Sequence, residues 1–326
     1  MSEPTEADER ETGRPRVDGE ELYHRLNEIE TAVDDLRWYH ELGEVGSVRR
    51  VRFVGPPPAN TTGQTDQEKG NRVVVPAYAF DPKGTDGTEE PVPGIVLPHG
   101  GVHSNLSTRY VGVVRELLSQ GYYVIAPEYR GSTGYGRKHH DLIDYGGLEV
   151  EDTFAAREWL VEHRPVDSER VGIVGWSHGG LHALMNVFFH PEAYAAAYAG
   201  VPVSDLVARM GYKDQAYRDL YEAEYHVGEA AHENPDEYRN RSPVWHAEKL
   251  ETPLRIHTTR NDEDVNVLEV EALIRALSAE GKQFEYEVYD DAPGAHAFEL
   301  LDTAFARDSR ERIYEFLASY LDPPGR

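Results

Sequence analysis

From Arg72 onward, short and nearly continuous apolar runs alternate with segments whose apolar residues recur at helical spacing. Such runs are typical of strands that are buried on both faces of a sheet, with helices covering those faces. The sequence therefore predicts an α/β fold with a mostly parallel central sheet and helices on both of its faces. The predicted strands are RVVVPAYAF (72–80), GIVLP (94–98), YYVIAP (122–127), RVGIVG (170–175), AAAYAG (195–200), PLRIHT (253–258) and FEYEVYD (284–290).

The residues before this pattern are of a different kind. Residues 1–18 are polar and acidic and are predicted to be a disordered tail. A helix with one apolar stripe follows, and its apolar residues are Leu22, Leu26, Ile29, Val33 and Leu36. Two interpretations of the stripe stay open. It docks the helix on the chain's own α/β domain, or it joins two copies into a homodimer through residues 22–36.

These patterns divide the chain into three parts. After the tail, residues 19–70 are expected to hold the N-terminal helix, one strand (RRVRFV, ending at Val54) and a linker. Residues 71–322 are expected to form the α/β domain. This domain carries one sizeable insertion at about 204–250, which is predicted to be a small helical segment.

The charge balance limits the class of partner. Lys and Arg number 33 against 59 Asp and Glu, which gives a formal net charge of −26 over 326 residues. Nucleic-acid binding depends on clustered cations, so no such partner is expected. The acidity fits either a salt-rich cytoplasm or a genome whose proteins are generally acidic, and the sequence does not separate the two.

Cysteine is absent, which excludes disulfides, thiolate metal ligands and a cysteine nucleophile. The first twenty residues show no apolar leader, and no run approaches the ~18 apolar residues of a membrane span. We therefore expect a cytoplasmic protein that does not insert into a membrane.

The segment VGIVGWSHGGLHALM carries the most specific chemical signal. A predicted strand leads into Gly175-Trp176-Ser177-His178-Gly179, and a helical pattern follows at once. This is the G-x-S-x-G pattern in the strand–turn–helix context in which a serine acts as nucleophile. Glycines are needed on either side because the chain folds back on itself too closely for side chains.

A serine nucleophile needs a base, and the base needs a carboxylate to orient it. His296 follows the last predicted strand and is the candidate base. Asp262 is the first candidate for the acid, and Asp264 in the same loop is the alternative. Both loops lie at the carboxyl ends of strands, where open α/β sheets bind ligands.

An acyl-transfer site also needs N–H donors for the oxyanion. The N–H of His178 is one candidate, and the N–H of Gly100 or Gly101, after the strand GIVLP, is the other. His178 and His182 lie four residues apart on one helix, but a zinc site needs further ligands and the HExxH glutamate is missing. No metal and no cofactor are therefore expected.

The insertion is rich in aromatic residues, and two interpretations stay open for them. They pack the helices of the insertion, or the segment forms a lid over Ser177 with one or two rings lining the substrate pocket. The aromatic residues are Tyr212, Tyr217, Tyr221, Tyr225, Tyr238 and Trp245. The pocket is predicted to include Val102, Trp176, Tyr212 and Tyr217.

Taken together, these segments resemble the catalytic domain of the prolyl oligopeptidase family, within the α/β-hydrolase superfamily. The resemblance covers about Val73 to Leu321. The matching motifs, in chain order, are HGG (99–101), EYRGSTGYGR (128–137), DYGGLEVEDTFAAREWL (144–160), GWSHGG (175–180), NPDEYRNRSP (234–243), Asp262-x-x-Val265 and AHAF (295–298).

The resemblance implies that Ser177 is the nucleophile, Asp262 the acid and His296 the base. Four positions depart from the usual pattern: Val102 replaces Pro, His178 replaces Tyr or Asn, Thr258 replaces Gly, and Ala295 replaces Gly. Peptidases of this family usually carry an N-terminal β-propeller of about 160 residues or more. About 70 residues precede the α/β domain here, so no propeller is expected in this sequence.

The sequence thus predicts a serine hydrolase that works through a covalent acyl-enzyme. A serine peptidase acting on short peptides is the favoured function, and a carboxylesterase acting on small acyl esters is the alternative. A non-catalytic binding protein on the same fold is the remote alternative. The catalytic residues do not separate the two enzymes, because both use the same machinery.

Overall fold

The computed structural model of the chain describes residues 18–59, 70–84, 91–223 and 226–325. The predicted tail at 1–18 lies outside these residues, apart from Asp18. Within the described ranges the chain forms strands β1 (Gly46–Val54), β2 (Val74–Pro82), β3 (Val92–Val96), β4 (Tyr123–Pro127), β5 (Val166–Trp176), β6 (Ala196–Gly200), β7 (Leu254–Thr259) and β8 (Phe284–Tyr289). The helices are α1 (Gly19–Leu42), α2 (Val111–Ser119), α3 (Arg137–His140), α4 (Leu148–His163), α5 (His178–Phe189), α6 (Leu206–Tyr212), α7 (Gln215–Glu222), α8 (Pro235–Asn240), α9 (Val267–Ala279) and α10 (Ala304–Leu321).

The eight strands form one sheet in the order β1-β2-β4-β3-β5-β6-β7-β8. The β1–β2 and β2–β4 pairs are antiparallel, and every other neighbouring pair is parallel. The prediction of a mostly parallel α/β sheet is therefore confirmed. Because β1 pairs with β2 along its whole length, the domain boundary predicted at residue 71 falls between two hydrogen-bonded strands of one sheet.

Two apolar cores lie on opposite faces of the sheet, as expected for helices on both sides. One core packs the apolar faces of α4, α5 and α9 against the strands. The other packs α2, α10 and the C-terminal half of α1. Within the described ranges, no helix is both long enough and apolar enough to cross a membrane.

Helix α1 docks on the domain, but not through its apolar stripe. Trp38 is fully buried against Tyr78 and Phe80 of β2, and its indole N–H donates to Leu106 O at 3.4 Å. Asp34 accepts a hydrogen bond from the Thr108 hydroxyl at 2.8 Å. Truncation of a buried tryptophan typically costs about 3–5 kcal/mol, so this single side chain holds much of the helix in place.

The predicted stripe faces solvent, and its five side chains are 49–73% exposed. The helix therefore docks on its own domain, but the interpretation that the apolar stripe is the docked face is wrong. The apolar spacing identified the helix, but hydrogen-bonding polar residues and one tryptophan form the face that is buried. The stripe is left free to contact something outside the described chain.

Candidate active site

Ser177 occupies the turn between β5 and α5, as the motif predicts. Its backbone has φ 59° and ψ −119°, a conformation that is costly for any residue with a side chain. Glycine is required at both flanking positions because neither has room for a side chain. A Cβ on Gly175 would lie 2.1 Å from Gly179 O, and a Cβ on Gly179 would lie 2.3 Å from Pro98 O. The turn thus places Ser177 at the carboxyl edge of the sheet, beside the loop that follows β3.

Asp262 and His296 form a hydrogen-bonded pair. The Nδ1–H of His296 donates to Asp262 Oδ2 at 2.7 Å. The other oxygen, Oδ1, accepts the backbone N–H groups of Asp264 and Val265 at 2.8 and 2.9 Å, which fixes the orientation of the carboxylate. With its proton held at Nδ1, the neutral imidazole presents an unprotonated Nε2, which is the tautomer that a general base requires.

Asp264 occupies the other side of the same imidazole. Its Oδ2 lies 3.5 Å from His296 Nε2, and its Oδ1 pairs with Lys213 Nζ and, at 3.2 Å, with Arg209 Nη2. Burial alone would raise the pKa of Asp264, but Lys213, His296 and Arg209 together lower it. In the described chain, no hydrogen bond joins Ser177 to His296. The structure therefore brings together the candidate acid and the candidate base, with Asp264 beside Nε2 of the same imidazole.

The loop after β3, residues 99–103, is called here the oxyanion loop. It approaches the candidate nucleophile closely, since a Cβ on Gly100 would lie 3.4 Å from Ser177 Cβ. The N–H of Gly100 donates to Tyr110 Oη at 2.8 Å, whereas the described hydrogen bonds use neither the N–H of Gly101 nor that of His178. Of the two glycines, Gly101 is thus the one whose N–H has no acceptor among the described residues. Tyr110 was not anticipated, because nothing in its sequence surroundings marks it.

The side chain of His178 points into the protein, toward His182 and Glu149, and is buried. Its Nε2 lies 3.1 Å from His182 Nε2 and 3.5 Å from Glu149 Oε1, and these three residues form a group that could hold a metal ion. Glu149 also accepts the N–H groups of Gly146 and Gly147. Burial raises the pKa of Glu149 to about 8. Burial also lowers the pKa values of His178 and His182 well below the usual value for histidine.

The sequence alone does not place Glu149 beside His178 and His182, because only the fold brings α4 against α5. The donor set of this group is incomplete for zinc, which usually takes four ligands. Hydrogen bonds to Gly146, Gly147 and Thr153 already orient the glutamate and His182. We therefore interpret the group as a buried polar cluster behind Ser177.

The predicted pocket residues lie in three different places. Val102 is half-buried in the oxyanion loop. Trp176 is 3% exposed, and its indole packs in the core beside Tyr198, so it does not reach an open pocket. Tyr212 and Tyr217 belong to the insertion, where both hydroxyls accept hydrogen bonds from the buried Arg209 at 2.8 Å.

The insertion contacts both sides of the site. Arg209 and Lys213 hold Asp264 in the acid loop, residues 260–265. His226 Nε2 lies 3.3 Å from His103 Nε2 in the oxyanion loop. Tyr221 packs on Tyr145, whose ring in turn packs on His178.

The remaining insertion aromatics serve other contacts. Tyr238 is buried and donates to Glu229 O at 2.8 Å, which fits the packing interpretation. Trp245 is half exposed and lies against Arg239. Tyr225 lies outside the described residues.

Known proteins resemble this chain over most of its length. Dipeptidyl aminopeptidase BIII of Pseudoxanthomonas mexicana is 25% identical over 286 residues, which are 85% of this chain and 41% of that protein. The acylamino-acid-releasing enzyme of Rattus norvegicus is 28% identical over 237 residues, 70% of this chain and 31% of that protein. The chain therefore spans less than half the length of these relatives.

Solved structures show the same architecture. A puromycin-hydrolyzing peptidase of Mycobacterium tuberculosis superposes with a TM-score of 0.68 at 26% identity, over 85% of this chain and 40% of that one. The uncomplexed acylaminoacyl peptidase of Pyrococcus horikoshii gives a TM-score of 0.69 at 20% identity, over 86% of this chain and 42% of that one, a likeness of fold.

The sequence profile of one family covers most of the α/β domain. It matches residues 110–323, which include Ser177, Asp262 and His296. A match of this extent agrees with the eight-stranded fold and with the relatives described above. The chain belongs to the prolyl oligopeptidase family.

Proposed function

We propose that the protein is a serine peptidase that cleaves short peptides through a covalent acyl-enzyme. The observation that carries this proposal is the 2.7 Å hydrogen bond between His296 Nδ1–H and Asp262, at the same edge of the sheet as the strained Ser177 turn. The relatives named as peptidases and the family support peptides as the substrate class.

In the proposed mechanism, His296 Nε2 accepts the Ser177 proton as Oγ attacks the substrate carbonyl. The N–H groups of His178 and Gly101 stabilise the oxyanion, and Asp262 stabilises the imidazolium. The tetrahedral intermediate collapses, and His296 returns the proton to the departing amine. Water, activated by the same base, then releases the acyl group and restores Ser177.

Asp264 has a proposed part in this cycle. Its carboxylate lies 3.5 Å from Nε2, so it favours the protonated imidazole and competes with Ser177 for that nitrogen. Arg209 and Lys213 draw Asp264 toward the insertion. We propose that the insertion is a lid whose position sets how far Asp264 stands from the base.

The exposed stripe of α1 supports a homodimer. Its 4-3-4-3 spacing is that of a coiled-coil seam, and we propose that a second copy covers it in parallel. In that arrangement, Arg25 of each copy lies opposite Glu30 of the other copy, so one such pair stands on each side of the seam. Both residues are exposed, so opposite charges flank the apolar contact.

The proposed activity is tested first by labelling with an organophosphonate probe. We expect one adduct, on Ser177, and we expect Ser177→Ala to abolish both labelling and turnover. Ser168→Ala, a change of an exposed serine on β5, should leave both intact. Thermal unfolding of Ser177→Ala should change little, because alanine keeps the same turn and no hydrogen bond of the described residues uses the Ser177 hydroxyl. Labelling elsewhere, or none, would contradict the proposal.

The assignment of the acid is tested by a matched pair of variants. Asp262→Asn should lower kcat by about 10⁴-fold, because the amide no longer holds the productive tautomer. Asp264→Asn should have a much smaller effect, because this carboxylate faces the Nε2 of His296 and Asp262 still holds the Nδ1–H. Steady-state kinetics on one substrate decide the point, and a larger loss in Asp264→Asn would reverse the assignment.

The substrate class is tested by comparing short aminoacyl p-nitroanilides with p-nitrophenyl acyl esters. A peptidase should hydrolyse both substrates, because an activated ester is easier to hydrolyse than an amide. Ser177→Ala is the background control in each assay. Turnover of the esters alone would replace the proposed peptidase with a carboxylesterase.

The homodimer is tested by sedimentation equilibrium. We expect the protein to have twice the mass of one chain and Ile29→Glu to have the mass of one chain, because the charge falls within the seam. Leu268→Glu changes an exposed leucine on α9 and should stay dimeric. A monomeric wild-type protein would contradict the proposal.

A further inference from the structure

Glu299 is a buried carboxylate close to the candidate base. It follows His296 by three residues in the same short 3-10 helix, Ala295–Leu300, and is 1% exposed. An ionised carboxylate at such a site is stable only when hydrogen-bond donors surround it. No motif in the sequence marks this residue, and the proposed mechanism does not use it.

Four side chains donate to this carboxylate. The Trp176 indole N–H reaches Oε2 at 2.5 Å, and the Tyr198 hydroxyl donates to the same oxygen. The His257 Nδ1–H and the Ser309 hydroxyl reach Oε1 at 2.7 and 2.6 Å. Burial alone would raise the pKa of Glu299, but its contacts with His257, Ser309 and Tyr198 lower it. The carboxylate is thus an anion with both oxygens occupied.

Two of the four donors come from segments that hold proposed catalytic residues, and the other two, Tyr198 and Ser309, lie in β6 and α10. Trp176 immediately precedes Ser177, and His257 lies in β7, the strand that leads to Asp262. Arg255 Nε–H donates to His257 Nε2 at 2.7 Å, which leaves the His257 proton on Nδ1, facing Glu299. Glu299 itself lies on the segment of His296. One carboxylate therefore connects all three segments.

The backbone of Glu299 is anchored as well. Arg310 of α10 donates to Glu299 O at 2.6 Å and to Leu301 O at 3.0 Å, and Glu116 of α2 pairs with the same guanidinium at 2.7 Å. The 3-10 helix that bears His296 is thus fixed to the helical layer on one side and to the sheet on the other.

We propose that Glu299 is a positioning residue that sets the distance between His296 and Ser177. This inference rests on the proposed function, since it concerns the same triad. The side chain touches neither substrate nor reacting atoms and acts through Trp176 and the 3-10 helix. Because a shift of about 1 Å between reacting groups costs about 10²-fold in rate, loss of this connection should slow the chemical step more than binding.

The first test replaces Glu299 with glutamine, which keeps the size but removes the charge and half of the acceptor capacity. Glu299→Gln should lower kcat about 10- to 100-fold with KM within about threefold. Active-site titration with the organophosphonate then separates two causes. A positioning role lowers the labelling rate constant per active site, whereas simple destabilisation lowers only the fraction of sites that titrate.

Asp81→Asn is the control for a buried carboxylate. Asp81 is buried, pairs with Arg164 at 2.7 Å and lies at the opposite edge of the sheet, beside the start of β4. It should lower the unfolding temperature and leave the per-site labelling rate unchanged. Equal per-site rates in Glu299→Gln and wild type would overturn the inference.

A second pair keeps the test decisive if Glu299→Gln does not fold. Trp176→Phe removes the donor that joins Glu299 to the nucleophile segment. Trp38→Phe removes a buried indole N–H from the same core, where its acceptor is Leu106 O. Slower per-site labelling in Trp176→Phe alone supports the inference, and equal rates in the two variants overturn it.

The outcomes also separate this inference from the proposed function. Absence of any Ser177 adduct in the wild-type protein would overturn the proposed function and this inference together. Labelling of wild-type Ser177, combined with unchanged per-site rates in Glu299→Gln or Trp176→Phe, would overturn the inference alone.

Discussion

The turn at Ser177 is the constraint on which the rest of the site depends. Its strained backbone persists because β5 and α5 close to within backbone contact of each other and of the end of β3. That single close approach fixes Ser177, the start of α5 and the oxyanion loop relative to one another. The positions of Asp262 and His296 then follow from sheet order, because β7 and β8 run parallel to β5 and end at the same edge.

Much of this arrangement could be predicted from the sequence, because the relevant signals are local. Apolar runs located the strands, helical spacing located α2, α4, α9 and α10, and the strand–turn–helix context identified Ser177. The order of acid and base along the chain placed Asp262 and His296 on neighbouring loops, and their side chains do meet. Each of these inferences uses only residues within single elements or loops and the order of those elements along the chain.

The features that escaped prediction depend on contacts between distant parts of the chain. Trp38 and Asp34 bury a face of α1 that looks polar in sequence, because their partners lie on β2 and near α2. Trp176 was predicted to line the pocket, but its indole packs inward and donates to Glu299, which lies 123 residues away in the chain. Gly101 and Gly100 could not be distinguished without the hydroxyl of Tyr110. The spacing of apolar residues predicts that a helix forms, but the residues that pack against the helix decide which of its faces is buried.

The four donors around Glu299 have a consequence for how this protein can change over time. Each donor stands on a different segment, yet all share one buried anion, so replacing any one of them alone leaves that anion with one hydrogen bond fewer in a buried site. Substitutions at these positions are therefore expected to occur together or not at all. Among homologues, Trp176, Tyr198, His257 and Ser309 should vary as a set with Glu299, even though they are far apart in the chain.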